Sequence, residues 1–222
     1  MDLELITSVL IIIGIDIILG GDNAIVIALA CKNLPEKQRN KAIVLGAVMA
    51  IGLRIICTIL AVFLLDIPFL QFVGGFFLIL IAYKLLTDKQ EDHSSIKGGI
   101  SLSSAVKTIV IADLVMGLDN VIAVAGAAHG NFQLVVLGLI FSIPIIIWGS
   151  KLILFIMERF PIFIYVGAAI LAYTAGKMMI HEEKLQYLYD QHVQVIQLVP
   201  FITIILVIVA GYFSNKFNAS TA

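Results

Sequence analysis

Seven stretches of this chain are almost unbroken in apolar residues: about 5–31, 41–65, 68–86, 105–128, 133–156, 161–180 and 195–214. A hydrocarbon core about 30 Å thick takes roughly 20 apolar residues of helix, so each stretch predicts a membrane-spanning helix. Before the sixth span the one long polar connection is "TDKQEDHSSIKGGISLSS", which follows the third span and divides the first six into two groups of three.

The polar residues inside the apolar runs repeat. "IDIILGGDNAIVIALA" (15–30) and "ADLVMGLDNVIAVAGAA" (112–128) carry Asp16, Asp22 and Asn23, then Asp113, Asp119 and Asn120, at one constant offset. A weaker echo aligns "VGGFFLILIAYK" (73–84) with "VGAAILAYTAGK" (166–177), pairing Val73, Gly74, Leu78, Ala82 and Lys84 with Val166, Gly167, Leu171, Ala175 and Lys177. Three helices per copy invert the second copy relative to the first, as in many secondary transporters. The pattern predicts an all-α membrane protein of seven transmembrane helices: two inverted three-helix repeats plus one C-terminal helix.

Composition agrees. The chain is 61% hydrophobic and 13% charged, against about 45–50% and 25% for a soluble domain, and its mean hydropathy is +1.09. The acidic start "MDLELITS" has neither a basic region nor a small-residue cleavage site, so the first run reads as a retained span. Basic residues set the orientation. Lys32, Lys37, Arg39, Lys41, Lys84, Lys89, Lys97, Lys107, Lys151, Arg159 and Lys216 all fall on one side if the N-terminus is outside and the C-terminus cytoplasmic, leaving Lys177 and Lys184 opposite. That places a multi-pass chain in the plasma membrane with the lipid bilayer as its first partner. Cys31 and Cys57 lie in or beside apolar runs and read as small buried hydrophobes.

The aspartates are the costly residues. Asp16 and Asp22 flank the middle of the first span, and Asp113 and Asp119 the middle of the fourth. At roughly 2.5–3.5 kcal/mol each, four carboxylates facing lipid would cost about 10 kcal/mol, so they face inward. A helix-to-helix hydrogen bond explains one such residue less specially than a site does. Residues six apart differ by about 120° in direction and 9 Å in height, so Asp16 and Asp22 share an ion only if the helix unwinds between them. Gly20 and Gly21 supply a break, and Gly117 a weaker one, unless these glycines serve only close packing. Carboxylate, amide and carbonyl oxygens are hard ligands suited to Mg²⁺, Ca²⁺ or Mn²⁺, and no Cys or His neighbours the aspartates in sequence. Sulfur from Met116 would favour Mn²⁺, although a methionine in a span is ordinarily packing.

Arg54, mid-span in the second run, either neutralises an aspartate in competition with metal or protons, or forms a fixed ion pair with Asp16 or Asp113. Lys84 and Lys177 read as snorkelling residues, with a gate-closing ion pair as the alternative. The clusters Glu91, Asp92, His93 and His181, Glu182, Glu183 read as solvated loop charge ahead of metal sites.

At "GGDNA" and "GLDNV", each with an aspartate six residues before its own, the chain resembles the TerC family of integral membrane proteins. The likeness runs through "KNLPEKQRNKA", "LGAVMAIGLRIICT" and the helix with "GG" and a later Ala and Lys. The resemblance implies a bacterial-type multi-pass protein related to the LysE-like exporters and associated with manganese export and tellurite resistance. Carried over, Asp16, Asp22, Asn23, Asp113, Asp119 and Asn120 become the metal site, with Mn²⁺ as transported substrate ahead of Ca²⁺ or Mg²⁺. Roles tied to the soluble domains of longer members do not transfer.

Two functions remain in view. One is a secondary exporter of Mn²⁺ exchanging the ion for protons. The other is a non-transporting membrane assembly or metal-delivery factor with a structural ion. No nucleophile constellation, organic-cofactor motif or Walker-type "GxxxxGK" occurs, which argues against an enzyme and against direct ATP drive. No nucleic-acid partner is expected, and homo-oligomerisation is left open.

Overall fold

The computed structural model describes residues 10–14, 16, 20–60, 67–88, 101–127, 132–182, 184 and 196–220. These include the helices α1 (Gly21–Cys31), α2 (Glu36–Ile59), α3 (Leu70–Thr87), α4 (Leu102–Ala127), α5 (Phe132–Arg159), α6 (Ile162–Ile180) and α7 (Val199–Ser220), with a further helical stretch at 10–14 before α1. No strand occurs among the described residues. Among the described residues, five segments are long and apolar enough to cross a bilayer: Glu36–Ile59, Leu70–Thr87, Gln133–Arg159, Ile162–Ile180 and Val199–Lys216.

Most bounds lie within a few residues of the apolar runs. The second helix differs, beginning before its apolar run. Pro35 adopts an extended conformation at its N-cap and Glu36 occupies its first turn, where the helix dipole favours an acid, so the polar "EKQRNK" becomes helical. Residues 61–66, the end of the predicted second span, lie outside the described residues.

Large side chains face outward and small ones inward. Trp148, Phe155, Ile205 and Phe213 are exposed, whereas Ala28, Ala42, Ala82, Ala168 and Ala175 are fully buried. Association inside lipid lacks a hydrophobic drive and depends on close backbone approach, which small residues permit. Gly75 is the tightest case between α3 and α6. A Cβ there would lie 2.6 Å from the Ala175 carbonyl oxygen and 2.7 Å from Met179 Cγ.

The residues aligned between the two copies share environments. Leu78 and Leu171 are buried, as are Ala82 and Ala175, and Gly74 and Gly167. Val73 and Val166 are exposed, as are Lys84 and Lys177. α3 and α6 run antiparallel, since the start of α3 meets the end of α6. α7 packs on both, with Thr203 Oγ1 donating to the Ala172 carbonyl at 2.7 Å and Asn215 Nδ2 to that of Leu86 at 3.4 Å.

Polar contacts pin both ends of α3. At the lysine-rich end, Lys32 Nζ donates to the Leu85 carbonyl and Asn33 Nδ2 to that of Asp88 at 2.8 Å. Burial lowers the Lys32 pKa to about 8, against the opposing pull of Asp88. Arg39 ties the same end to α5 through Glu158 at 2.5 Å.

At the other end, Glu182 corrects the expectation of solvated loop charge. It is 5% exposed and its carboxylate accepts from the Phe69 amide at 3.0 Å and the Gln71 amide at 3.2 Å. α3 has no side-chain cap of its own, and Phe69 occupies the left-handed region with φ 62°. Glu182 therefore supplies in trans the acceptors a helix start requires. Glu182→Ala should cost about 1–3 kcal/mol, the penalty for stranding buried amides, while Glu182→Gln should keep part of it. Thermal unfolding in detergent checks this order. Neighbouring His181 is exposed, while Glu183 and the cluster Glu91, Asp92, His93 lie outside the described residues.

Candidate metal and charge centre

The first span breaks where two glycines meet. Residues 10–14 are helical, Gly20 is a bend with φ −100° and ψ 10°, and α1 restarts at Gly21. The Gly20 amide donates to the Asp16 carbonyl at 2.8 Å, and the Asn23 amide to the Gly20 carbonyl at 3.0 Å. A Cβ on Gly20 would collide with the Asp16 carbonyl and lie 3.2 Å from Asn23 Nδ2, so only glycine fits this approach. The restart puts Asp22 in the first turn of an 11-residue helix, at the positive end of its dipole.

The second copy does not break. α4 runs through Gly117 without interruption, contrary to the expected weaker unwinding. One glycine among good helix formers costs only about 1 kcal/mol, which packing offsets. Instead Gly117 presents bare backbone to Arg54. A Cβ there would stand 3.4 Å from Arg54 Nε, at contact distance.

Arg54 joins the two copies. It projects from α2 and is 2% exposed. Its Nη1 bonds Asp16 Oδ1 and its Nη2 bonds Asp113 Oδ1. Sequence alone offered one partner or the other, but the planar guanidinium fork addresses both. Two carboxyl groups thus share one guanidinium at a nearly water-free position, with Asp16 at 0% exposure.

Unpaired polar atoms surround this pair. Asp16 Oδ2, Asp22 Oδ1, both amide atoms of Asn23, Arg54 Nε and Asn120 Nδ2 are buried without a hydrogen-bond partner among the described residues. A cavity of about 10 Å³, enough for one water-sized sphere, lies among Asn23, Val26, Ile27, Ile109 and Asp113. Each stranded group carries a penalty of about 1–3 kcal/mol unless something satisfies it. Carboxylate and amide oxygens collected this way suit a hard cation or protons.

Thr174 was missed by sequence reasoning. Its hydroxyl, on α6, donates to Asp22 Oδ2 at 3.2 Å. The aligned position in the first copy is Ile81, so a search for matched polar pairs passes over it. Cys57, one turn beyond Arg54, packs against Val121, the residue after Asn120. Both Cys31 and Cys57 are buried free thiols, as expected.

Asp119 lies in α4, and its side chain is outside the described residues. Lys84 and Lys177 are exposed in the last turns of α3 and α6 and form no ion pair among the described residues. No group of three or more His, Cys, Asp or Glu side chains gathers among the described residues. Met116 is buried on α4.

Apolar outward faces around a buried carboxylate–guanidinium centre define a multi-pass, all-helical integral membrane protein. The chain belongs to the integral membrane protein TerC family, whose model matches residues 1–219. It is 52% identical to the membrane protein YjbE of Bacillus subtilis over 97% of this chain and 99% of that protein. It is 25% identical to the Bacillus subtilis membrane protein YkoY, covering 68% of this chain but 53% of the relative. The inner membrane protein YoaE of Escherichia coli is 28% identical over 68% of this chain and 33% of its own length. No solved structure matches the chain.

Proposed function

We propose that this protein is a secondary transporter that exports a divalent cation, Mn²⁺ foremost, in exchange for protons. The observation that carries the reading is Arg54 holding Asp16 and Asp113 together, one carboxylate from each copy, among unpaired buried oxygens. In this reading Arg54 is a tethered counter-charge. It occupies the carboxylates when no ion is bound and withdraws when Mn²⁺ arrives. Asp22, Asn23, Asn120 and Asp119 supply the remaining oxygens, and carboxylates that exchange Mn²⁺ for protons couple export to proton return. Hard oxygen ligands alone would serve Ca²⁺ equally. The family's association with manganese export favours Mn²⁺.

Two inverted repeats rocking about this midplane centre would give alternating access. The shared burial of aligned residues, the antiparallel α3–α6 contact and the meeting of Asp16 with Asp113 support that arrangement. The lysine-rich end then faces the cytoplasm of a plasma-membrane protein, and seven spans put the N-terminus outside. The same Arg54 bridge favours one rival reading, an assembly or metal-delivery factor whose centre is a permanent lock.

Cysteine labelling separates them. In a background lacking Cys31 and Cys57, Asn23→Cys and Asn120→Cys should each react with an impermeant thiol reagent from both membrane faces, and Mn²⁺ should slow both reactions. Reaction from one face only, or from neither, would sink the transporter. Thr174→Val should weaken Mn²⁺ binding about 10-fold by releasing Asp22, with Thr174→Ser near wild type. Mn²⁺ titration of the purified variants checks this.

A further inference from the structure

A groove opens on the lipid face between α2 and α4, near the lysine-rich end where both helices begin. It consists of two adjoining hollows of about 510 and 590 Å³ that share Leu45 and Leu102. Lys107 and Ser103 line one and the stem of Lys41 the other, and no acidic residue lines either among the described residues. Deeper along the helices the walls turn apolar through Met49 and Val110. Leu45 is 44% exposed and Met49 48%, so the groove is continuous with the hydrocarbon-facing surface.

We propose that this groove is a binding site for one anionic glycerophospholipid, its phosphate between Lys41 and Lys107 and an acyl chain along Leu45 and Met49. Charge selects the occupant. Neither lysine has an ion-pair partner among the described residues, and α4 adds the positive end of its dipole. A lone lysine at this depth would snorkel to water. Here two lysines from neighbouring helices flank one apolar slot, the arrangement by which basic pockets between transmembrane helices hold anionic head groups. A zwitterionic lipid offers the same chains without net charge and should bind less tightly.

The test places a fluorescent reporter in the groove with Leu45→Trp in a Trp148→Phe background, the chain otherwise having one tryptophan. The purified full chain in neutral detergent is titrated with brominated phosphatidylglycerol or brominated phosphatidylcholine, and quenching is read. Phosphatidylglycerol should quench at about 30-fold lower mole fraction, the combined effect of two lysines near an anionic group. Lys41→Gln with Lys107→Gln should erase that preference, while Lys151→Gln, at the same end on α5, should preserve it. Met49→Trp provides a second reporter should the first disturb folding. Equal quenching by both lipids, or a preference that survives loss of both lysines, would overturn the proposal. So would absence of quenching accompanied by crosslinking of two copies through the groove.

Discussion

Arg54→Met should destabilise the protein by about 3–5 kcal/mol, because it strands two buried carboxylates with no counter-charge. Asp16 and Asp113 are each bonded to that one guanidinium, and neither position offers water in its place. Arg54→Lys should recover little, since one ammonium cannot reproduce a fork that addresses two carboxylates at once. The informative variant is the triple change Arg54→Met, Asp16→Asn, Asp113→Asn. Removing all the charges together should restore most of the stability, as replacing a buried ion cluster by neutral groups often does. Thermal and denaturant unfolding in detergent would measure this. A triple variant as unstable as the single would mean that Arg54 acts through packing and not through charge.

Asp22→Asn should behave in the opposite way. Asp22 does not take part in the Arg54 bridge; it receives one hydroxyl from Thr174, and its Oδ1 has no partner among the described residues. Neutralising it should change stability by no more than about 1 kcal/mol, the net worth of one hydrogen bond. Mn²⁺ affinity should nevertheless fall by 100-fold or more, beyond the roughly 10–100-fold typical of groups that merely orient a ligand. Equilibrium binding of Mn²⁺ to the folded variant would show it. The contrast between a variant that folds without binding and one that fails to fold separates ligand from lock within one small centre.

Much of this was legible in the apolar pattern because membrane thickness sets a single length scale. The third to seventh runs became helices with ends shifted by only a few positions. The Gly20–Gly21 break was legible for a similar reason, since adjacent glycines followed by Asp-Asn oppose helix from both directions. The expected break at Gly117 did not occur, because one glycine can be held helical by what packs on it, and Arg54 does so. Glu182 and Thr174 were hidden by distance along the chain. Glu182 is recognisable as a cap only once the fold brings it to Phe69, 113 residues away. Thr174 meets Asp22 across 152 residues and lacks a polar counterpart at Ile81, so the repeat that revealed the aspartates concealed it.

Mn²⁺ uptake into inside-out vesicles, with and without an imposed proton gradient, tests the central claim most directly. Uptake that needs the gradient in wild type and vanishes in both Asp22→Asn and Asp119→Asn is the predicted result. Vesicles that take up no more Mn²⁺ than protein-free controls, while the folded protein still binds the ion, would contradict it and leave a metal-holding membrane protein that does not transport.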